Sequence, residues 1–306
     1  MPRENTHLLF SDNVYKRIKN QKLKAVIEKN KKYYYFGSVL PDSFYYSKKE
    51  NIILISDYFH SKDGNLTNEI IFEWLDLIKK NKNEKELVLV FGVLTHYAID
   101  STFHPVVYYL SGNYHDKDSQ KRHEAVYLHR QLETSLDNKI NKKFDINKII
   151  KISDLNLNKM QSLKIVSDKF KISLNLLIKD IKRQFFFNKL FKSRIVFGLF
   201  YLLYKIGLFK KKEDLSLFYG NLSKDKTIMK DMIDYRDMFS GEAKNTNLKA
   251  LFKDSEELAL EMINNAFSYY FGEISRQDCA KIIDGRSLNT GKIGVSVNEI
   301  KFTKFS

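Results

Sequence analysis

The sequence predicts an all-α protein, a single multi-helix globular domain over residues 1–306, and three observations carry that reading. Three prolines and twelve glycines are too few for a loop-rich or turn-rich architecture. Apolar residues recur at three- and four-residue spacing through much of the chain. The stretch Leu87–Val106, LVLVFGVLTHYAIDSTFHPV, is apolar on almost every side, the pattern of a helix buried all round. At 306 residues and 43% hydrophobic, the chain is long enough for one large core.

Taken in order, residues 1–11 read as a polar lead that holds His7. Ser11, Asp12 and Asn13 are N-cap types, and Val14, Ile18, Val26 and Ile27 fit an imperfect helix after them. Lys31–Tyr46 is aromatic and punctuated by Gly37 and Pro41, which places Asp42 on a loop against an aromatic wall. His60 follows the apolar Ile52–Ile55 in a segment that turns at Asp63 and Gly64. Thr67–Lys80 is a helix whose apolar face is Ile70, Ile71, Trp74, Leu75 and Ile78. A polar loop over Ser111–Asp118 holds His115, and a further helix is expected from Ser119 to about Ile140.

Beyond residue 140 there is no histidine, which divides the chain into a metal-ligand half (1–140), a helical scaffold half (141–275) and an irregular C-terminal tail (276–306). Leu155–Phe187, Asp225–Met238 and Asp254–Phe271 read as helices. Asn188–Lys212 carries an apolar run, Ile195–Tyr204, framed by Lys and Arg. A buried core helix with snorkelling ends is the preferred reading, and an interfacial helix giving peripheral membrane contact is the alternative. No stretch has the apolar length of a transmembrane span.

The central helix carries the chemistry. His96, Asp100 and His104 are spaced four apart, so their side chains stack along one face. A buried carboxylate among buried imidazoles is costly unless something pairs with it, and a divalent metal is the simplest partner. Pro105 disfavours helix at the residue before it, which places His104 at the helix end, turned toward a different ion. His129 and Glu133, four apart on an inward stripe, form a two-ligand half-site. His115 and His123 are read as non-ligands. The single Cys279 excludes a disulfide framework. The net charge of +15 implies an anionic partner without choosing among nucleic acid, anionic lipid and phosphorylated small molecules, and lysine-rich composition alone also raises it.

The ordered set THLLF, GSVLPD, FH, GVLTHYAIDSTFHP and HRQLE resembles the zinc-dependent phospholipase C family, whose wider superfamily includes the fungal single-strand nucleases. By motif the resemblance covers roughly residues 1–140. It implies an all-helical phospholipase C / nuclease fold with a metal cluster of two or three zinc ions in the helical core. Carried over by position, Asp42, His60, His96 and Asp100 would hold one ion, and His104, His129 and Glu133 a second. His7 would join Asp100, whose carboxylate would bridge to a third. In secreted members the mature amino end helps ligate that third ion; here removal of Met1 would expose Pro2. The start MPRENTHLLF is not a secretory signal as given, so a cytoplasmic location, peripheral at a membrane, is expected.

The resemblance further implies phosphodiester hydrolysis by a metal-activated hydroxide, with Asp42 as catalytic base and a phospholipid head-group ester as substrate. The aromatic segment Tyr33–Tyr46 could line a head-group pocket, with ordinary core packing the preferred reading. A single-strand nuclease is the alternative within enzymes, with nucleic acid the lesser partner. A non-catalytic, metal-bound, membrane-associated protein is the alternative of another class.

Overall fold

The computed structural model describes residues 3–140, 143–220 and 230–306. The fold is all-α. In chain order come α1 (Glu4–Arg17), α2 (Gln21–Lys29), α3 (Lys31–Gly37), a 3-10 helix over Leu40–Tyr46, α4 (Glu50–Phe59), α5 (Asn68–Asn81), α6 (Glu84–Ser111) and α7 (Ser119–Ile140). The single-turn α8 (Ile146–Ile149), α9 (Gln161–Phe170), α10 (Leu174–Phe191), α11 (Arg194–Lys205) and single-turn α12 (Lys212–Leu215) follow. An antiparallel hairpin, β1 (Ile233–Arg236) and β2 (Ala243–Thr246), precedes α13 (Leu248–Phe271) and α14 (Arg276–Ile282).

Helix α6 is the axis, with α1, α3, α5, α7 and α13 packed around it. From Glu86 to Ser101 every residue is buried, as all-round apolar composition requires. Contrary to the expectation that no stretch has the apolar length of a span, α6 is, among the described residues, the one helix long and apolar enough to cross a membrane, but 94% of its apolar window lies inside the protein. The side chain of Asn83 caps it by accepting from Glu86 N. The Glu86 carboxylate in turn accepts from Gln161 N at 2.8 Å and Ser162 N at 2.7 Å, fixing the start of α9.

Helices α3 and α6 cross backbone to backbone. A Cβ on Gly92 would sit 2.0 Å from the Tyr34 carbonyl oxygen, and one on Gly37 would sit 2.1 Å from that of Leu89. This close approach puts the chain after Gly37 directly over the middle of α6, and Asp42 follows five residues later. Tyr33, Tyr34, Tyr35 and Phe36 are buried in the core, so the aromatic wall is mainly packing; Tyr45 and Tyr46 face a cavity.

Several elements differ from expectation. There is no polar lead: α1 begins at Glu4, and Ser11, Asp12 and Asn13 lie inside it, with Ser11 donating to Leu8 O rather than capping. Asp42 sits in the 3-10 helix, not on a loop. Helix α6 continues through Pro105 to Ser111, because the buried Val106, Val107, Tyr108 and Leu110 hold the last turns in place. The long helix expected over Leu155–Phe187 is two, α9 and α10, broken where Lys171 takes a left-handed conformation. Of the helix expected over Asp225–Met238, residues 225–229 lie outside the described residues, and Ile233–Arg236 is a strand. Helix α11 is not a core helix: none of its residues is buried.

Replacing Gly92 by Ala forces α3 off α6. The expected result is a loss of about 3 kcal/mol of stability, read by thermal or denaturant unfolding. Gly198→Ala serves as control, since a Cβ there meets nothing within 4 Å.

Candidate metal centre

Four elements bring seven predicted residues into two buried groups. Asp42, His60, His96 and Asp100 each offer a ligand atom, all within 4.8 Å of one another, and His104, His129 and Glu133 do the same. Asp42 comes from the 3-10 helix, His60 caps the C-terminus of α4, and His96, Asp100 and His104 descend α6. His129 and Glu133 stand one turn apart on α7, with Nε2 to Oε1 at 2.9 Å. Ser56 Oγ donates to Pro41 O at 2.6 Å, which ties α4 to the segment bearing Asp42. His104 groups with His129 and Glu133 rather than with His96 and Asp100, and it does so within the helix, not past its end.

The imidazoles are oriented from behind. His60 Nδ1 donates to Ser56 O at 2.7 Å, His96 Nδ1 to Ser38 O at 2.9 Å and His104 Nδ1 to Leu288 O at 2.7 Å. His129 Nδ1 is 3.4 Å from Ser111 Oγ, which itself donates to Val107 O. With Nδ1 committed, each Nε2 lone pair faces inward, the arrangement that outer-shell carbonyls impose on metal-ligating histidines.

The first group has the dimensions of a tetrahedral ligand set. His60 Nε2 lies 3.3 Å from Asp42 Oδ1, 3.4 Å from Asp100 Oδ2 and 3.4 Å from His96 Nε2. His96 Nε2 lies 3.6 Å from Asp42 Oδ1 and 3.1 Å from Asp100 Oδ2. Ligands at about 2.0–2.2 Å from a tetrahedral zinc ion are about 3.3–3.6 Å apart. Asp42 Oδ1, both Asp100 oxygens and His104 Nε2 are buried and make no hydrogen bond among the described residues. Two imidazole nitrogens facing each other at 3.4 Å, with carboxylate oxygens beside them, need a cation or a proton between them. The donor set therefore fits zinc.

His7, at 0% exposure, lies beside this group. Its ring stacks on His96 with centroids 4.1 Å apart. Its Nε2 is 3.5 Å from Asp100 Oδ1 and 3.8 Å from Asp42 Oδ2, so each acid offers His7 the oxygen it does not turn toward His60. Both His7 nitrogens are without a hydrogen bond among the described residues. Met1 and Pro2, which bear on the amino-end ligand, lie outside the described residues.

Burial and mutual contact set the protonation of the metal-free site. Burial opposes charge on His60, but the carboxylates of Asp100 and Asp42 beside its Nε2 outweigh it and lift the imidazole to about 9. Burial holds His7, His104 and His129 well below the ordinary histidine value. Burial also opposes ionisation of Asp100, yet the imidazoles of His96, His104 and His7 hold it well below the usual carboxylate range. For Asp42, burial wins and the carboxyl is pushed up.

Sequence reasoning missed the support given by the C-terminal tail. Ser287 Oγ and Asn289 Nδ2 each donate to His60 O at 3.2 Å, and Leu288 O holds His104. Gly291, at φ +69°, packs against Ser101 O and the ring of Pro105. No spacing signal marks these residues, because they act through backbone groups far away in sequence. His115 and His123 join neither group. His123 is exposed beside Glu213, and burial lowers His115 to about 4.

Zinc entering the first group displaces the proton that the two acids keep on His60. Loading the metal-free protein with zinc at pH 7.5 is expected to release about one proton per ion in that group. Release falls away above pH 9, where His60 is already neutral. A pH-indicator titration checks this, and His60→Gln removes the release.

No curated protein and no solved structure matches the chain. The family model described as zinc dependent phospholipase C matches residues 6–186, more than half of the sequence, and takes in all eight residues of the cluster. A helical body with two buried His and carboxylate groups agrees with that match, and the chain belongs to the zinc-dependent phospholipase C family.

Proposed function

We propose that this protein hydrolyses the head-group phosphodiester of phospholipids, with zinc held by Asp42, His60, His96 and Asp100, by His104, His129 and Glu133, and by His7 with the acids beside it. One observation carries the choice of substrate. A cavity of about 610 Å³ is lined both by Asp42, His60, His104, His129 and Glu133 and by an apolar wall that includes Ile53, Phe187, Leu190, Phe200, Phe209 and Phe218. A phosphodiester with acyl chains presents both chemistries at once and uses the aliphatic Ile53 and Leu190 as well as the phenyl rings, whereas the bases of a single strand would use the rings alone, for stacking.

Zinc in such ligand sets lowers the pKa of a coordinated water to about 7 and offsets charge on the phosphoryl oxygens. The chain's own residues supply the rest. Arg3, Lys62 and Arg130 place positive charge on the cavity lining. Lys62 is held by Asp57 at 3.0 Å, and Arg130 by Asp214 at 2.7 Å and Tyr114 at 3.2 Å, so these cations meet a phosphate already oriented. Asp42 borders the cavity, so its carboxylate is placed to take the proton from the attacking water. The phenyl wall excludes water from the ester.

Hydrolysis of p-nitrophenylphosphorylcholine is expected to vanish with a chelator and return with added zinc. Asp42→Asn is expected to lower kcat by roughly 10²-fold or more. Cleavage of oligonucleotides that falls steeply with salt, with none of lipid, would assign the site to a nuclease. Bound zinc without turnover of either substrate would make the protein non-catalytic.

A further inference from the structure

Among the described residues, exposed apolar side chains concentrate in one stretch of the chain. Of the thirteen exposed large hydrophobic residues among those described, seven fall between Phe186 and Leu208. Ile195, Leu199, Leu202 and Ile206 follow one another at four-, three- and four-residue spacing, so they form a single outward stripe on α11 and the turn that ends it. Their exposures are 87%, 55%, 58% and 59%. Leu208 (76%) continues the patch beyond the helix. A helix that shows an unbroken aliphatic stripe to water leaves the hydrophobic effect unsatisfied unless something covers it.

The opposite face of α11 is also apolar, and it belongs to the cavity. Phe200 lines the cavity and packs on Phe209 at 5.2 Å and Phe218 at 5.7 Å between ring centroids. Phe197 packs on Phe218 at 5.9 Å. Aromatic contacts then run from Phe218 through Phe191 and Phe187 to Tyr46, four residues from Asp42. One short helix thus separates the exposed stripe from the apolar lining of the catalytic cavity.

Charge identifies what covers the stripe. Residues 181–212 contain nine Lys and Arg and no Asp or Glu. Arg194 precedes the apolar run, and Lys205, Lys210, Lys211 and Lys212 follow it, while Lys192 is taken up by Asp145 at 2.8 Å. A second copy of the chain docked through this face would bring two such segments together, a repulsive arrangement. Apolar insertion with a basic frame is complementary to an anionic bilayer, where acyl chains take the stripe and phosphates take the lysines.

We propose that Arg194–Leu208 is an interfacial anchor that docks the protein on anionic phospholipid bilayers and sets the apolar mouth of the cavity against the acyl layer. The anchor deepens the phospholipase reading and rests on it for what docking achieves, but docking itself is measurable without turnover. The test uses the full chain in chelator, by flotation with vesicles of phosphatidylcholine containing about 30 mol% phosphatidylglycerol and with phosphatidylcholine alone. Binding to the anionic vesicles is expected to be at least roughly tenfold stronger, and to weaken with salt. The triple variant Ile195→Asn, Leu199→Asn, Leu202→Asn is expected to lose it by roughly 10²-fold. These side chains lie outside the cavity lining, so zinc-dependent hydrolysis of soluble p-nitrophenylphosphorylcholine is expected to stay within about twofold. Equal flotation of wild type and variant, or none by either, overturns the anchor. So does a wild-type dimer in solution that the variant abolishes, which would give the face to a second copy. Intact docking with no hydrolysis of any phosphodiester overturns the phospholipase reading and leaves the anchor standing.

Discussion

Two carboxylates buried in one place govern this molecule. Asp42 and Asp100 are 4% and 0% exposed, and their oxygens face the Nε2 atoms of His60 and His96 at 3.1 to 3.6 Å. Ionised acids at that depth cost several kcal/mol each unless cations meet them. The imidazoles answer only in part: they favour the ionised form of Asp100, but burial resists charge on His7, His104 and His129 and wins at Asp42, and a proton on His60 is shared between both acids. A divalent ion satisfies acids and imidazoles together. That demand explains why the chain holds so many polar groups in its driest region.

Rigidity follows from the same demand, since ligands set a few tenths of an ångström wrong lose the ion. Helix α6 meets it by being buried along most of its length, so that His96, Asp100 and His104 move only if the core moves. The crossing at Gly37 and Gly92 brings the Ser38 carbonyl onto His96 and starts the segment that carries Asp42. The tail closes the other side. Ser287 and Asn289 hold the backbone at His60 while the intervening Leu288 holds His104, so a single three-residue strip touches both ligand groups and fixes their spacing. The division of the chain into a chemical half and a scaffold half therefore breaks down at its last element.

What was readable in the sequence depended on whether the signal was local. The four-residue spacing in α6 and α7 sets His96 beside Asp100 and His129 beside Glu133, because helical geometry alone decides it. Asp42, His60 and His7 sit in segments without such spacing, and only the order of the motifs suggested them. Pro105 misled, since its local preference yields to the packing of Val106, Val107 and Tyr108. The contacts of Ser287, Leu288 and Asn289 were unreadable: they are backbone-directed and bridge more than 180 residues. The β1–β2 hairpin was missed as well, four residues to a strand being too short for alternation to register.

The comparison between α6 and α11 shows the limit of composition most clearly. Both are apolar on nearly every side, and both read as core helices by that measure. In α6 the polar exceptions are His96, Asp100 and His104 in the middle, groups that gain from being enclosed around an ion. In α11 the middle holds no such group, and the polar exceptions are cations at the ends. Enclosing those ends would strip water from Lys and Arg with no acid between residues 181 and 212 to receive them. The charge thus opposes the burial that the apolar residues favour, and α11 stays at the surface with none of its residues buried. Where polar residues interrupt an apolar helix, and what they can be paired with, decides whether that helix turns inward, as α6 does, or stays at the surface, as α11 does.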